Sequence, residues 1–89
     1  MSKINPDLQQ LLDDAGPGTS DPLRLIVTLA PGDKWYRAVE AVKTAGLHVD
    51  REEQAIHVLF GSAPAERVPG IATLSEVELV ESEGMAATL

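Results

Sequence analysis

The sequence predicts an α+β fold, a four-stranded antiparallel sheet with helices on one face and an extra helix at the N-terminus. Three observations carry that expectation. Leu23, Leu25, Val27 and Leu29 alternate with Arg24, Ile26 and Thr28, the period of a strand with one wholly apolar face. Trp35, Ala38, Val39 and Val42 line one side of a helix, and Gly46 stands where such a helix ends. Beyond it lie two short apolar runs, a stretch with proline and glycine inside it, and a last apolar run flanked by glutamates.

The elements follow in order. Asn5-Pro6 suits a helix start, with Asn as the cap and Pro at the first helical position. Leu8, Leu11, Leu12 and Ala15 then form one stripe, which must dock either on its own domain or on a partner. Gly16 and Pro17 stop the helix, and residues 16–22 read as a linker, so residues 1–22 form an appendage of helix and linker. The strand over 23–29 comes next. Pro31-Gly32-Asp33 turns the chain, and Asp33 is the expected cap of a helix from about Lys34 to Ala45. Gly46 suits a left-handed residue and Leu47 can close back on Val42. Residues 47–50 and 55–60 read as hairpin arms joined by the charged residues 51–54, with Ile56, Val58 and Phe60 on one face. Residues 61–64 break the second arm. Val68, Ile71 and Leu74 suggest a helix, but the interior Pro69 costs ~3 kcal/mol in a helix, so this one is short, bent, or begins at Pro69. Residues 76–81 form a last strand whose exposed glutamates suit a sheet edge.

After the first helix the order is β-α-β-β-α-β, two interleaved β-α-β units, which gives a ferredoxin-like sandwich over residues 23–81 and an extended tail over 82–89. Both helices of that unit lie on one sheet face. The other face is open, with Ile26 exposed on the first strand, and it needs a cover or a partner.

Composition narrows the function classes. The 89 residues make one domain, and 23 Leu, Ile and Val residues supply most of its core. Such a domain buries only ~60–65% of its unfolded surface, so it is marginal in stability. The chain has no cysteine, which removes disulfides, thiol nucleophiles and Cys-bound metal. Seven basic residues stand against 14 acidic ones, for a net charge of −7, and no two basic residues are adjacent. Neither nucleic acid nor an anionic membrane is an expected partner. No apolar run approaches the ~20 residues of a membrane span. The charge is uneven, with five glutamates and one arginine from Glu66 to Leu89.

No constellation points to catalysis. His48 and His57 lie on the two arms of the expected hairpin, where a metal would need Asp50 or a glutamate as third ligand. The reading taken is two half-exposed strand histidines and no metal. No serine occupies a Gly-x-Ser-x-Gly elbow, and Ala30-Pro31-Gly32-Asp33 has too few glycines for a phosphate loop. Trp35 reads as core, and the glutamates read as a solvated face. The chain is expected to be non-enzymatic, without catalytic residues or a cofactor.

The run Arg24-Leu25-Ile26-Val27-Thr28-Leu29, the helix ending at Gly46, the hairpin, Pro69-Gly70-Ile71, and Val77-Glu78-Leu79-Val80-Glu81 together resemble the propeptides of subtilisin-type serine proteases. Free-standing proteinase inhibitors related to those propeptides share the pattern. The closing Val-x-x-Val-Glu is its most recognisable stretch, and the lead-in from Ile4 to Pro22 resembles that of some bacterial prodomains. The resemblance spans Leu23 to Leu89. It departs from the family pattern in the interrupted second helix and in the added first helix.

The resemblance implies a partner, a subtilisin-like serine protease bound in cis or in trans, and a monomer when free. The open face, with Ile26, Thr28, Glu78, Val80, Ser82 and Glu83, would pack on two surface helices of the protease. Its acidic and hydroxyl groups would cap their N-termini, where positive partial charge gathers. Met85, Ala86, Ala87, Thr88 and Leu89 would enter the cleft as an added strand, in the manner of a cleaved product. Leu89 would fill the primary specificity pocket and Ala86 a second one. Without a signal-peptide core in its first ten residues the chain is expected in the cytoplasm, or outside the cell if it is a processed prodomain. A reading from a different class is a ferredoxin-like ligand-sensing or oligomerising module that pairs through the open sheet or an edge strand.

Overall fold

A computed structural model describes residues 4–15, 22–31 and 34–82. The linker at 16–21, the turn at Gly32 and Asp33, and the tail from Glu83 to Leu89 lie outside the described residues. Helix α1 (Pro6–Ala15) opens as its sequence directs. Asn5 Oδ1 accepts the Asp7 N–H at 2.9 Å, which satisfies one of the free donors of the first turn. The stripe docks on its own chain. Leu8 is 0% exposed within the single core cluster, Ile4 and Leu12 pack against that cluster, and the Asn5 N–H donates to the Val80 carbonyl at 2.9 Å.

Strand β1 (Leu23–Leu29) buries Leu25, Val27 and Leu29 and leaves Arg24, Ile26 and Thr28 on the other side, as the alternation requires. Helix α2 (Trp35–Ala45) buries Trp35, Ala38, Val39 and Val42, the expected stripe. Its N-cap position is Lys34, which no side chain among the described residues caps; the expected cap Asp33 lies outside those residues. Its C-terminal end is a Schellman motif. Gly46 has φ 123°, its N–H reaches the Lys43 carbonyl at 3.0 Å, and the Leu47 N–H reaches the Val42 carbonyl at 3.1 Å.

The hairpin differs from the sequence reading. Strand β2 (His48–Glu53) continues through Arg51, Glu52 and Glu53, which were expected to form the loop. The connection is a 3₁₀ turn at Gln54–Ile56 closed by His57 in the left-handed region, φ 56°. Strand β3 (Val58–Ala63) runs through Gly61 and Ser62, where a break was expected. Both differences have one cause. β2 is an edge strand, so charged side chains reach solvent while its backbone pairs with β3. Gly61 marks a close approach: a Cβ there would lie 2.1 Å from the His48 carbonyl oxygen.

A 3₁₀ turn at Ala65–Arg67 leads into the short helix α3 (Val68–Ala72), with Pro69 in its first turn, where proline is tolerated, and with Val68 and Ile71 buried. Strand β4 (Val77–Ser82) closes the fold. The sheet order is β2-β3-β1-β4, and every neighbouring pair is antiparallel. The molecule is therefore α+β, with a four-stranded antiparallel open sheet and its buried residues in one core. Among the described residues no helix is long and apolar enough to cross a membrane.

Candidate protein-binding face

Strand alternation and ladder register place the residues of the open face. Ile26 lies opposite Phe60 on one side and Glu81 on the other, and Thr28 lies between Val58 and Leu79. Arg51 and Glu53 continue these rows onto β2. The centre of the face is thus Ile26, Phe60, Thr28, Val58 and Leu79, all half-buried. Charged groups frame it. The Arg51 guanidinium lies 5.5 Å from the centre of the Phe60 ring and pairs with Glu53. At the other end Arg24 meets Asp50 at 2.5 Å, and His48 Nε2 lies 3.3 Å from the same carboxylate. These pairs are partly solvated, worth at most ~1 kcal/mol each, and serve chiefly to give the rim its charge pattern.

Of the residues expected on this face, Ile26 and Thr28 lie on it. Val80 does not: it is 0% exposed and faces the core. The reason is a register shift. Thr28 pairs with Leu79 while Leu29 pairs with Val77, so β4 carries one extra residue at Glu78. The bulge lets Val77 and Val80 both point inward and turns Leu79 and Glu81 to the open side. Glu78 is exposed at the bulge, and Ser82, opposite the buried Leu25, falls on the helix side. Glu83 and the tail residues Met85, Ala86, Ala87, Thr88 and Leu89 lie outside the described residues. Phe60, Val58, Leu79, Arg51 and Glu81 were missed as members of the face. The first two carried a signal, since they alternate with the buried Leu59; the spacing of three between Val77 and Val80 was the mark of the bulge.

The histidines are not a cross-strand pair. His48 lies opposite Ser62, whereas His57 stands in the connection with its ring 6.1 Å from that of Trp35. Among the described residues no group of three His, Asp or Glu side chains is placed to hold a metal ion. The chain matches no protein-family model, no curated protein and no solved structure.

Proposed function

We propose that the chain is a non-enzymatic inhibitor or folding-chaperone prodomain of a subtilisin-like serine protease, built as a ferredoxin-like sandwich. The observation that carries this reading is a sheet face with no helix over it among the described residues, beside the edge strand β4, which ends at Ser82. Ile26, Phe60, Val58 and Leu79 keep apolar surface in solvent at the centre of the face, where a partner's helices can cover it. Glu78 and Glu81 bring carboxylates to its β4 margin, suited to the positive N-terminal ends of such helices. The strand order supports the fold assignment. Helices α2 and α3 carry the chain from β1 to β2 and from β3 to β4, strands that are not neighbours, as in a split β-α-β sandwich.

In this mechanism the face docks first and residues 83–89, leaving from Ser82, lie along the substrate cleft as an added strand. Leu89 occupies the primary specificity pocket. Inhibition assays against subtilisin test it. Removing residues 85–89 is expected to weaken inhibition by about 100-fold or more, equivalent to ~2.7 kcal/mol. The circular dichroism spectrum should not change. Leu89→Asp should lose most of the same affinity, because its carboxylate would be desolvated in an apolar pocket. Full inhibition by the truncated chain, or none by the intact one, rejects the reading.

A further inference from the structure

The open face carries a row of residues that complements itself. From β4 across β1 and β3 to β2, Glu81, Ile26, Phe60 and Arg51 stand opposite one another in the ladder register. The row therefore reads acid, apolar, apolar, base. Both of its charged ends belong to the open side. Glu81 follows the core-facing Val80 and is only partly buried, and the Arg51 guanidinium lies 5.5 Å from the centre of the Phe60 ring. Arg51 also pairs with Glu53, whereas Glu81 has no ionic partner among the described residues. The next row, Leu79, Thr28, Val58 and Glu53, continues the half-buried centre.

Symmetry decides what such a row can meet. Two sheets that pack face to face stack ~10 Å apart with their strands nearly aligned. Two copies of one sheet stacked in this way are related by a two-fold axis lying between them, directed either across the strands or along them. An axis across the strands sets β4 over β4, so that Glu78 and Glu81 of one copy meet the same carboxylates of the other. An axis along the strands, between β1 and β3, sets β4 of each copy over β2 of the other. Glu81 then lies over the second copy's Arg51, Ile26 over its Phe60, and Thr28 over its Val58, each contact made twice. Glutamate and arginine side chains reaching from opposite sheets span a gap of ~10 Å.

We infer that two copies of this chain pair through their open faces about a two-fold axis parallel to the strands, with Glu81 of each copy meeting Arg51 of the other. Ile26 and Phe60 form the covered centre, and Arg51 joins Glu53 of its own chain to the second copy's Glu81. The contact is small. Four strands ~4.8 Å apart, each giving about five residues of ~3.4 Å, make a footprint of roughly 330 Å² per copy. Even with side-chain relief this falls short of the ~800 Å² per partner of a stable complex, so the pair is transient, with a Kd of about 0.1–1 mM. The net charge of −7 on each copy weakens it further. A second copy and a protease would compete for the same surface, but the pairing rests on the self-complementary row and not on the protease reading.

Sedimentation equilibrium and amide chemical shifts of the full chain, followed from ~20 μM to ~2 mM, test the pairing. The mass is expected to rise towards that of a dimer, with concentration-dependent shifts at Ile26, Thr28, Val58 and Phe60 and none along α2. A chain that stays monomeric throughout overturns the inference. Glu81→Arg and Arg51→Glu should each weaken self-pairing about tenfold or more, because each brings like charges together. An equimolar mixture of the two variants then decides the axis. A copy with two arginines meets a copy with two glutamates, and the mixture should pair at least as tightly as the unaltered chain; no recovery overturns the arrangement. If Arg51→Glu does not fold, a spin label settles the same point. The chain has no cysteine, so His48→Cys, at a side chain 79% exposed on β2, takes one label. Mixed with isotope-labelled unaltered chain, it should broaden the amides of β4, and broadening of β2 instead overturns the axis. Removing residues 85–89 should leave the pairing unchanged. Pairing seen only after their removal would mean that the tail covers the face in the full chain, and would overturn the proposal. No protease enters these measurements, so this inference and the protease reading fail separately.

Discussion

Strand β1 presents the same chain to two different environments. On one side Leu25, Val27 and Leu29 are sealed against Leu8, Val39, Val42 and Ile71, in the same cluster as residues from all three helices. On the other, Ile26 and Thr28 remain half-buried between Phe60, Val58 and Leu79, with charged pairs around them. The covered face has space for one arrangement of side chains, because interiors pack at crystal-like density and transmit any change in volume. The open face has no such neighbour to satisfy, so its residues answer to solubility and to whatever docks there. Close packing and partial exposure are thereby separated by a single residue step along one strand.

The contrast is sharpest where the ladder leaves no room at all. Gly61 faces the covered side of β3, and any side chain at this position enters the backbone of β2. Gly61→Ala is expected to cost about 3 kcal/mol or more, the upper end of overpacking, because the obstacle is a carbonyl rather than a movable side chain. Urea denaturation measures it. A cost below about 1 kcal/mol would mean that β2 can shift away, and that the edge of the sheet is looser than its pairing implies.

A Leu25→Ala variant probes the packed face with less violence. It removes a fully buried side chain from the middle of β1, and the expected loss is about 2–5 kcal/mol. Against a total of ~4–13 kcal/mol for a domain of this size, that is enough to bring unfolding near ambient temperature. Leu8 shares this core, so α1 contributes to the same cooperative unit, and a thermal melt should show one transition in which helix and sheet unfold together. A separate early loss of helix signal would place α1 outside that unit.

How far these features could be read in the sequence depends on how local their causes are. The end of α2 was legible because Gly46, Val42 and Leu47 form one motif within a few residues. The apolar side of β1 was legible because period two needs no partner to be recognised. The charged continuation of β2 was not, since Arg51-Glu52-Glu53 resembles a loop until β3 supplies its hydrogen bonds. Gly61 read as a breaker because the carbonyl that requires glycine belongs to another strand. The open face was half legible. Ile26 and Thr28 follow from the phase of β1, but the bulge at Glu78 reverses the phase of β4, so Val80 was assigned to the wrong side and Leu79 was missed. Pairing that crosses the sheet is invisible to a pattern read along one strand.

The smallest effect on stability is expected at Ile26, and its smallness is the point. Ile26→Ala deletes a side chain comparable in size to that of Leu25 from the adjacent position, yet Ile26 is only partly buried and no helix among the described residues closes over it. With apolar burial worth about 25 cal/mol per Å², partial exposure removes much of the transfer term, and solvent fills the space so that no cavity term remains. The expected cost is about 1 kcal/mol or less in the same urea experiment. Recognition should respond in the opposite sense. If the open face meets a protease, Ile26→Ala sits at the centre of that contact, where truncation commonly costs about 1–2 kcal/mol of binding, a factor of roughly 5 to 30. A variant that loses affinity while keeping its stability would mark this side of β1 as the docking surface. One that loses stability to the extent of Leu25→Ala would mean that the open face is covered within the chain itself, by residues outside those described.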